Sequence, residues 1–179
     1  MLRIAAFHEA GHACVCVELR VPFRKVDIIS NGKRFGRVYS RKSRAAFPDD
    51  HTDPRVIDWV ERAIIVDFAG GIAQRRYAPR SDWAYAMGHN GLALDPCYGD
   101  IPTTYHVKVA YGTDLYNING RLKTLGRYGD AAYRVELEAR AAALVRELYP
   151  AIKVVAAALL KHRTLTQSQV RRLMNRARR

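Results

Sequence analysis

Ile4, His8, His12, Val15 and Leu19 recur at spacings of four, four, three and four, which places them on one stripe of a helix over Leu2 to Leu19. Pro22 ends that helix. Val26 to Ile29 then reads as a short strand, Asn31-Gly32 as a turn, and Phe35 to Ser40 as a second strand. After a polar loop, Ala45 to Asp53, Pro54 suits the first turn of a helix running to about Tyr77, with Asp53 as its N-cap. Pro79 to Val109 is the least regular stretch, holding Gly88, Gly91, Pro96, Gly99 and Pro102, and reads as a long loop or lid. Thr113 caps a helix from Asp114 to about Leu125, which Gly126 and Gly129 break. Asp130 to Tyr149 and Ala151 to His162 read as two helices meeting at Pro150. Thr166 and Gln169, at capping-box spacing, open a last helix whose Arg-rich end is expected to fray. The pattern predicts an α+β, mostly helical fold with a small β-sheet and a C-terminal helical bundle. It shows no internal repeat. A single domain over 1–179 is expected, with a core over 1–125 that carries an insertion at about 79–110, followed by helices over 130–179.

Composition narrows the class. With 179 residues, 49% of them hydrophobic, the chain can bury a core. Its longest apolar run, Ala63 to Ala73, is interrupted by Asp67 and is too short to span a bilayer, so no transmembrane segment is expected. Cys14, Cys16 and Cys97 are odd in number and lack metal-ligand spacing, which suggests free thiols in a reducing compartment. The formal net charge is +13 and unevenly spread. Arg20 to Arg44 holds nine Lys or Arg against one acid, and eight Lys or Arg but no acid follow Glu147. Such stretches admit nucleic acid, anionic membrane or acidic substrates. A solvated face is the commoner meaning, and nucleic acid is not expected as the partner.

The sharpest chemical signal is His8-Glu9-Ala10-Gly11-His12. Histidines at i and i+4 on a helix project from one face one turn apart, and both imidazoles can reach one Zn²⁺ at about 2.0–2.1 Å. Glu9, beside the first ligand, lies near the metal without needing to bind it. It is placed to take a proton from an attacking water and pass it to a leaving amine, the role of a general base. Ala10 and Gly11 are small enough to let another element approach closely. On an ordinary amphipathic surface helix the same five letters carry no chemistry. Here the flanks are Ala, Phe, Cys and Val, and a buried His pair with a Glu needs partners, one of which a metal supplies. No leader pattern precedes the motif, so a cytoplasmic protein is expected.

A catalytic zinc needs a third protein ligand and an open position. Val15 and Glu18 stand where the metzincin pattern requires Gly and His. Glu61, on the following helix, is a thermolysin-like candidate, although the usual Asn-Glu context is missing. Ile4-Ala5-Ala6-Phe7-His8-Glu9-Ala10-Gly11-His12-Ala13 resembles the zinc helix of the FtsH-type ATP-dependent zinc proteases. Phe68-Ala69-Gly70-Gly71-Ile72-Ala73-Gln74 is similar to that family's Ala-Gly-x-Ala-Ala-Glu segment. Tyr111-Gly112-Thr113-Asp114-Leu115 is similar to its Gly-x-x-Asp-Leu segment, with one residue fewer before the Asp. Leu144 to Tyr149 and Leu159 to Leu173 resemble its last helices.

The resemblance implies a zincin-like metallopeptidase domain with Zn²⁺ on His8, His12 and Asp114, and Glu9 as catalytic base. It implies hydrolysis of peptides or unfolded protein segments. The chain departs from the family in lacking a P-loop and an ATPase module, so only the peptidase part is implied and folded substrates are expected to be poor. Gln74 replaces a common acid and cannot supply a carboxylate ligand. The family forms ring hexamers, built largely by the ATPase, which leaves a homo-oligomer open. His51, His89, His106 and His162 read as solvent or structural histidines, and the Phe35 to Ser40 strand as a place where substrate could add as a strand. A second class stays open: a basic nucleic-acid- or protein-binding module with a structural or degenerate zinc site.

Overall fold

One helix forms the axis of the molecule. In the computed structural model, described over residues 2–29, 36–40, 51–79 and 114–179, α1 (Leu2–Glu18) is buried almost continuously from Glu9 to Cys16. The single apolar stripe expected for it is therefore too narrow: helices pack on several of its sides, and Ala6, Ala10, Gly11 and Ala13 keep them close. The helix stops before Pro22. Arg20 takes a left-handed φ of 57°, and Val21 N–H donates to the Cys16 carbonyl at 2.8 Å, a Schellman-type closure.

Three short strands follow the order β2-β1-β3, all antiparallel: β1 (Phe23–Asp27), β2 (Arg37–Ser40) and β3 (Thr164–Thr166). Val26 in the central strand stands opposite Val38 on one side and Leu165 on the other, which gives the sheet one apolar face. The third strand was not expected, because three residues between two helices carry no alternation to read. It pins the C-terminal helices to the N-terminal half, helped by the Ile28 N–H to Arg163 carbonyl bond at 3.0 Å.

The 24-residue α2 (Pro54–Tyr77) begins as predicted. Asp53 accepts from Arg55 N–H at 2.8 Å, Pro54 occupies the first turn, and the Arg55 hydrogen bonds lower the Asp53 pKa to about 2. From Ala63 to Gly71 every residue is buried, so α2 is a core helix against α1. Next come α3 (Asp114–Thr124), α4 (Ala131–His162) and α5 (Gln167–Ala177), with Gly126 and Gly129 at φ 65° and 110° in the turn between α3 and α4. The expected pair of helices at Pro150 is in fact one. Val145 and Leu148 before the proline and Ile152, Val155 and Leu159 after it are buried along one face. That packing outweighs the roughly 3 kcal/mol a helix-interior proline costs. The capping box at Thr166 and Gln169 is formed, and the C-terminal arginines do not all fray: α5 runs to Ala177 and Arg178 pairs with Glu18.

The architecture is α+β, mostly helical with a small antiparallel sheet. No described helix is long and apolar enough to cross a membrane. The Asn31-Gly32 turn, Phe35, the loop beyond Pro79, Cys97, His89, His106 and the Thr113 cap lie outside the described residues.

Candidate metal centre

The fold brings His8 and His12 of α1 against Asp114, the first residue of α3. His8 Nε2 lies 3.0 Å from His12 Nε2 and 3.1 Å from Asp114 Oδ2, and His12 Nε2 lies 3.3 Å from the same oxygen. Among the described residues this is the one His/Cys/Asp/Glu group that could hold a metal ion. Tetrahedral ligands at about 2.0–2.1 Å stand about 3.3–3.4 Å apart, so the triangle has nearly the size zinc requires.

The outer nitrogens show why the arrangement could hold a cation. His12 Nδ1 is 2.7 Å from the Val66 carbonyl, which can only accept, so Nδ1 carries the proton. His8 Nδ1 donates likewise to Gln74 Oε1 at 3.2 Å. In the neutral rings both Nε2 atoms are then lone pairs aimed at each other and at a carboxylate. Without a metal, only a proton relieves that repulsion. Burial opposes charging of His12, but Asp114 outweighs it and raises its pKa to about 10. Burial alone would raise the Asp114 pKa; His12 and His8 hold it well below the carboxylate range. The same two Nδ1 bonds are the outer contacts that orient metal-bound imidazoles.

Small residues on α2 make room for these rings. A Cβ on Gly70 would lie 2.2 Å from His12 Nε2, and one on Gly11 would lie 2.6 Å from Ala73 Cβ and 2.7 Å from the Ala69 carbonyl oxygen. The Ala69-Gly70…Ala73-Gln74 segment is thus the floor under the histidines: the glycine admits one ring and the glutamine orients the other.

Glu9 is buried beside the triad. It has no hydrogen bond or ion pair with a described residue, and burial raises its pKa against the lowering effect of His8 and His12. Gly36, just before β2, leaves it space, since a Cβ there would lie 2.6 Å from Glu9 Cγ. The edge strand β2 therefore starts next to the Glu9 side chain.

Behind the site, Asp67 of α2 faces Arg121 of α3. Arg121 Nη1 is 3.1 Å from Asp67 Oδ2, yet the alignment is too poor for a hydrogen bond, leaving Asp67 Oδ2 and Arg121 Nε buried without one. Burial raises the Asp67 pKa to about 7 despite Arg121.

Glu61, the competing third ligand, is engaged elsewhere: Tyr133 Oη donates to it at 2.6 Å and Arg140 Nη1 at 2.8 Å. His51 and His162 are exposed and outside the triad. Sequence reasoning missed the Val66 carbonyl, because backbone acceptors leave no letter, and it read Gln74 as the loss of a ligand when the residue holds His8 in place. It also gave Gly70 and Gly36 no individual role; the small-residue run Ala69-Gly70-Gly71 was the available signal for the first. No protein-family model matches the chain, and a comparison with curated proteins finds none similar to it.

Proposed function

We propose that this chain is a zinc-dependent endopeptidase of the zincin-like, FtsH-type peptidase class, acting on peptides or unfolded protein segments in a reducing, cytoplasmic setting. One observation carries the reading: two Nε2 lone pairs and a carboxylate oxygen converge at 3.0 to 3.3 Å, and the buried Glu9, with no hydrogen bond to a described residue, lies alongside. When bound by His8, His12 and Asp114, zinc supplies the Lewis acidity that makes water a nucleophile at neutral pH and polarises a peptide carbonyl.

The protein's own groups do the rest. Val66 and Gln74 keep both rings with Nε2 inward. The Glu9 carboxylate takes the proton of the attacking water and returns it to the leaving amine nitrogen. Among the described strands β2 lies at the sheet edge, along which an extended substrate segment can align next to Glu9.

The test is metal content with turnover of an unstructured peptide mixture. Zinc should bind at about one equivalent per chain. Glu9→Gln should keep zinc and lose hydrolysis by about 10²–10⁴-fold. A chain that takes up no zinc, or a Glu9→Gln variant that cleaves at the wild-type rate, overturns the reading.

A further inference from the structure

A second feature lies apart from the metal centre. The end of α4, β3 and α5 enclose a groove of about 280 Å³. Leu165, Leu173 and Ala158 give it a buried to half-buried apolar floor, and exposed His162, Arg172 and Arg176 stand at its rim. None of these belongs to the His8, His12 and Asp114 set.

The charge around the groove is uncompensated. Elsewhere several arginines face acids: Arg62 with Asp58, Arg121 with Asp67, Arg127 with Asp130, Arg140 with Glu61. From Tyr149 onward the chain contains no acid at all. Arg178 borrows Glu18 from α1, whereas Lys161, Arg163, Arg171, Arg172 and Arg176 have no carboxylate partner among the described residues. Arg172 and Arg176 are one turn apart on the same face of α5, an arrangement of like charges that weakens a helix. The α5 helix thus carries a repulsion that an acidic ligand would relieve.

We propose that this groove docks an acidic, amphipathic segment of a partner protein, with carboxylates on the Arg172 and Arg176 rim and apolar side chains on Leu165 and Leu173. Two features favour a peptide over a nucleic acid. An apolar floor between the cations has nothing to offer a phosphate backbone. The chain from Pro150 to Arg179 also contains no Phe, Tyr or Trp on which a base could stack.

The experiment uses the full chain and fluorescence anisotropy. The probe is a labelled synthetic peptide with Glu and Leu on one helical face. Its controls replace every Glu by Gln or every Leu by Ser, and labelled single- and double-stranded oligonucleotides complete the set. The Glu/Leu peptide should bind with a Kd below about 100 µM. Both control peptides should bind at least tenfold more weakly. The double variant Arg172→Gln, Arg176→Gln should weaken binding about tenfold with melting unchanged or slightly raised, and Leu173→Gln should weaken it about tenfold while the chain stays folded; both should keep zinc uptake. These positions are exposed or half-buried, so the fold tolerates the changes. Tighter binding of an oligonucleotide than of the peptide, equal binding of the Ser control, or no binding of any probe overturns the proposal.

Discussion

Gly70→Ala isolates the contact on which the metal centre rests. The added methyl would lie 2.2 Å from His12 Nε2, 2.5 Å from Cε1 and 2.7 Å from Cδ2. Carbon and ring atoms come to rest at about 3.5–4.0 Å, so the ring must retreat by about 1 Å or more. Zinc bonds tolerate about 0.2 Å, so a displaced His12 no longer completes the triangle with His8 and Asp114. The cost to the metal-free fold is smaller. Alanine in a helix gains about 1 kcal/mol over glycine, and overpacking costs about 1–3 kcal/mol. Zinc affinity, measured by chelator competition, should fall about 100-fold or more, while the metal-free melting temperature moves only a few degrees. The zinc-induced rise in melting temperature should shrink in parallel, since zinc binds the folded state. Gly11→Ala is the contrast: its methyl meets the Ala69 backbone and Ala73, so its main effect should be on stability. A folded Gly70→Ala protein that binds zinc within about threefold of wild type would show that His12 is not a ligand or that Gly70 does not place it.

Asp114→Ala should strip zinc, whereas Glu61→Ala should leave zinc affinity unchanged and cost about 1–2 kcal/mol through its lost Tyr133 and Arg140 bonds. The opposite pattern in chelator competition would make the site thermolysin-like. Asp67 sets a pH dependence. Its folded pKa, about 7, exceeds the ordinary carboxylate value of 3.8, so the native state binds the extra proton. Its contribution is fully present below about pH 4 and is lost as pH rises to 7. In metal-free protein, the stability of wild type relative to Asp67→Asn should therefore fall by up to about 4 kcal/mol across that window. A flat difference from pH 4 to 8, read by urea unfolding, would mean that Asp67 is not buried in this way.

Much of the site could be read in the sequence because its key letters are local. The His8 to His12 spacing and the helix propensity around it place two ligands on one face without any tertiary information. Asp53, Thr166 and Gln169 announced their helix starts for the same reason: a cap acts within one turn. Asp114 lies 102 residues from His12, and only a resemblance in segment order pointed to it. What sequence did not yield depends on neighbours far along the chain. β3 exists because Leu165 meets Val26, and the Pro150 helix stays whole because both of its halves pack on the same core. The outer bonds to Val66 and Gln74 require α2 to lie against α1 at one particular offset.

The proposed hydrolytic reading also uses a group that a merely structural zinc site would not. A zinc that only braces α1 against α3 needs the two rings and the carboxylate of Asp114; it has no use for Glu9. Glu9 is buried with no hydrogen bond to a described residue, and Gly36, just before β2, leaves space where any side chain would strike it. A leucine or glutamine at position 9 would satisfy packing at lower cost. In the proposed mechanism Glu9 and Gly36 act together: the glycine clears the space, and the carboxylate stays close to both the His8, His12 and Asp114 group and the start of β2.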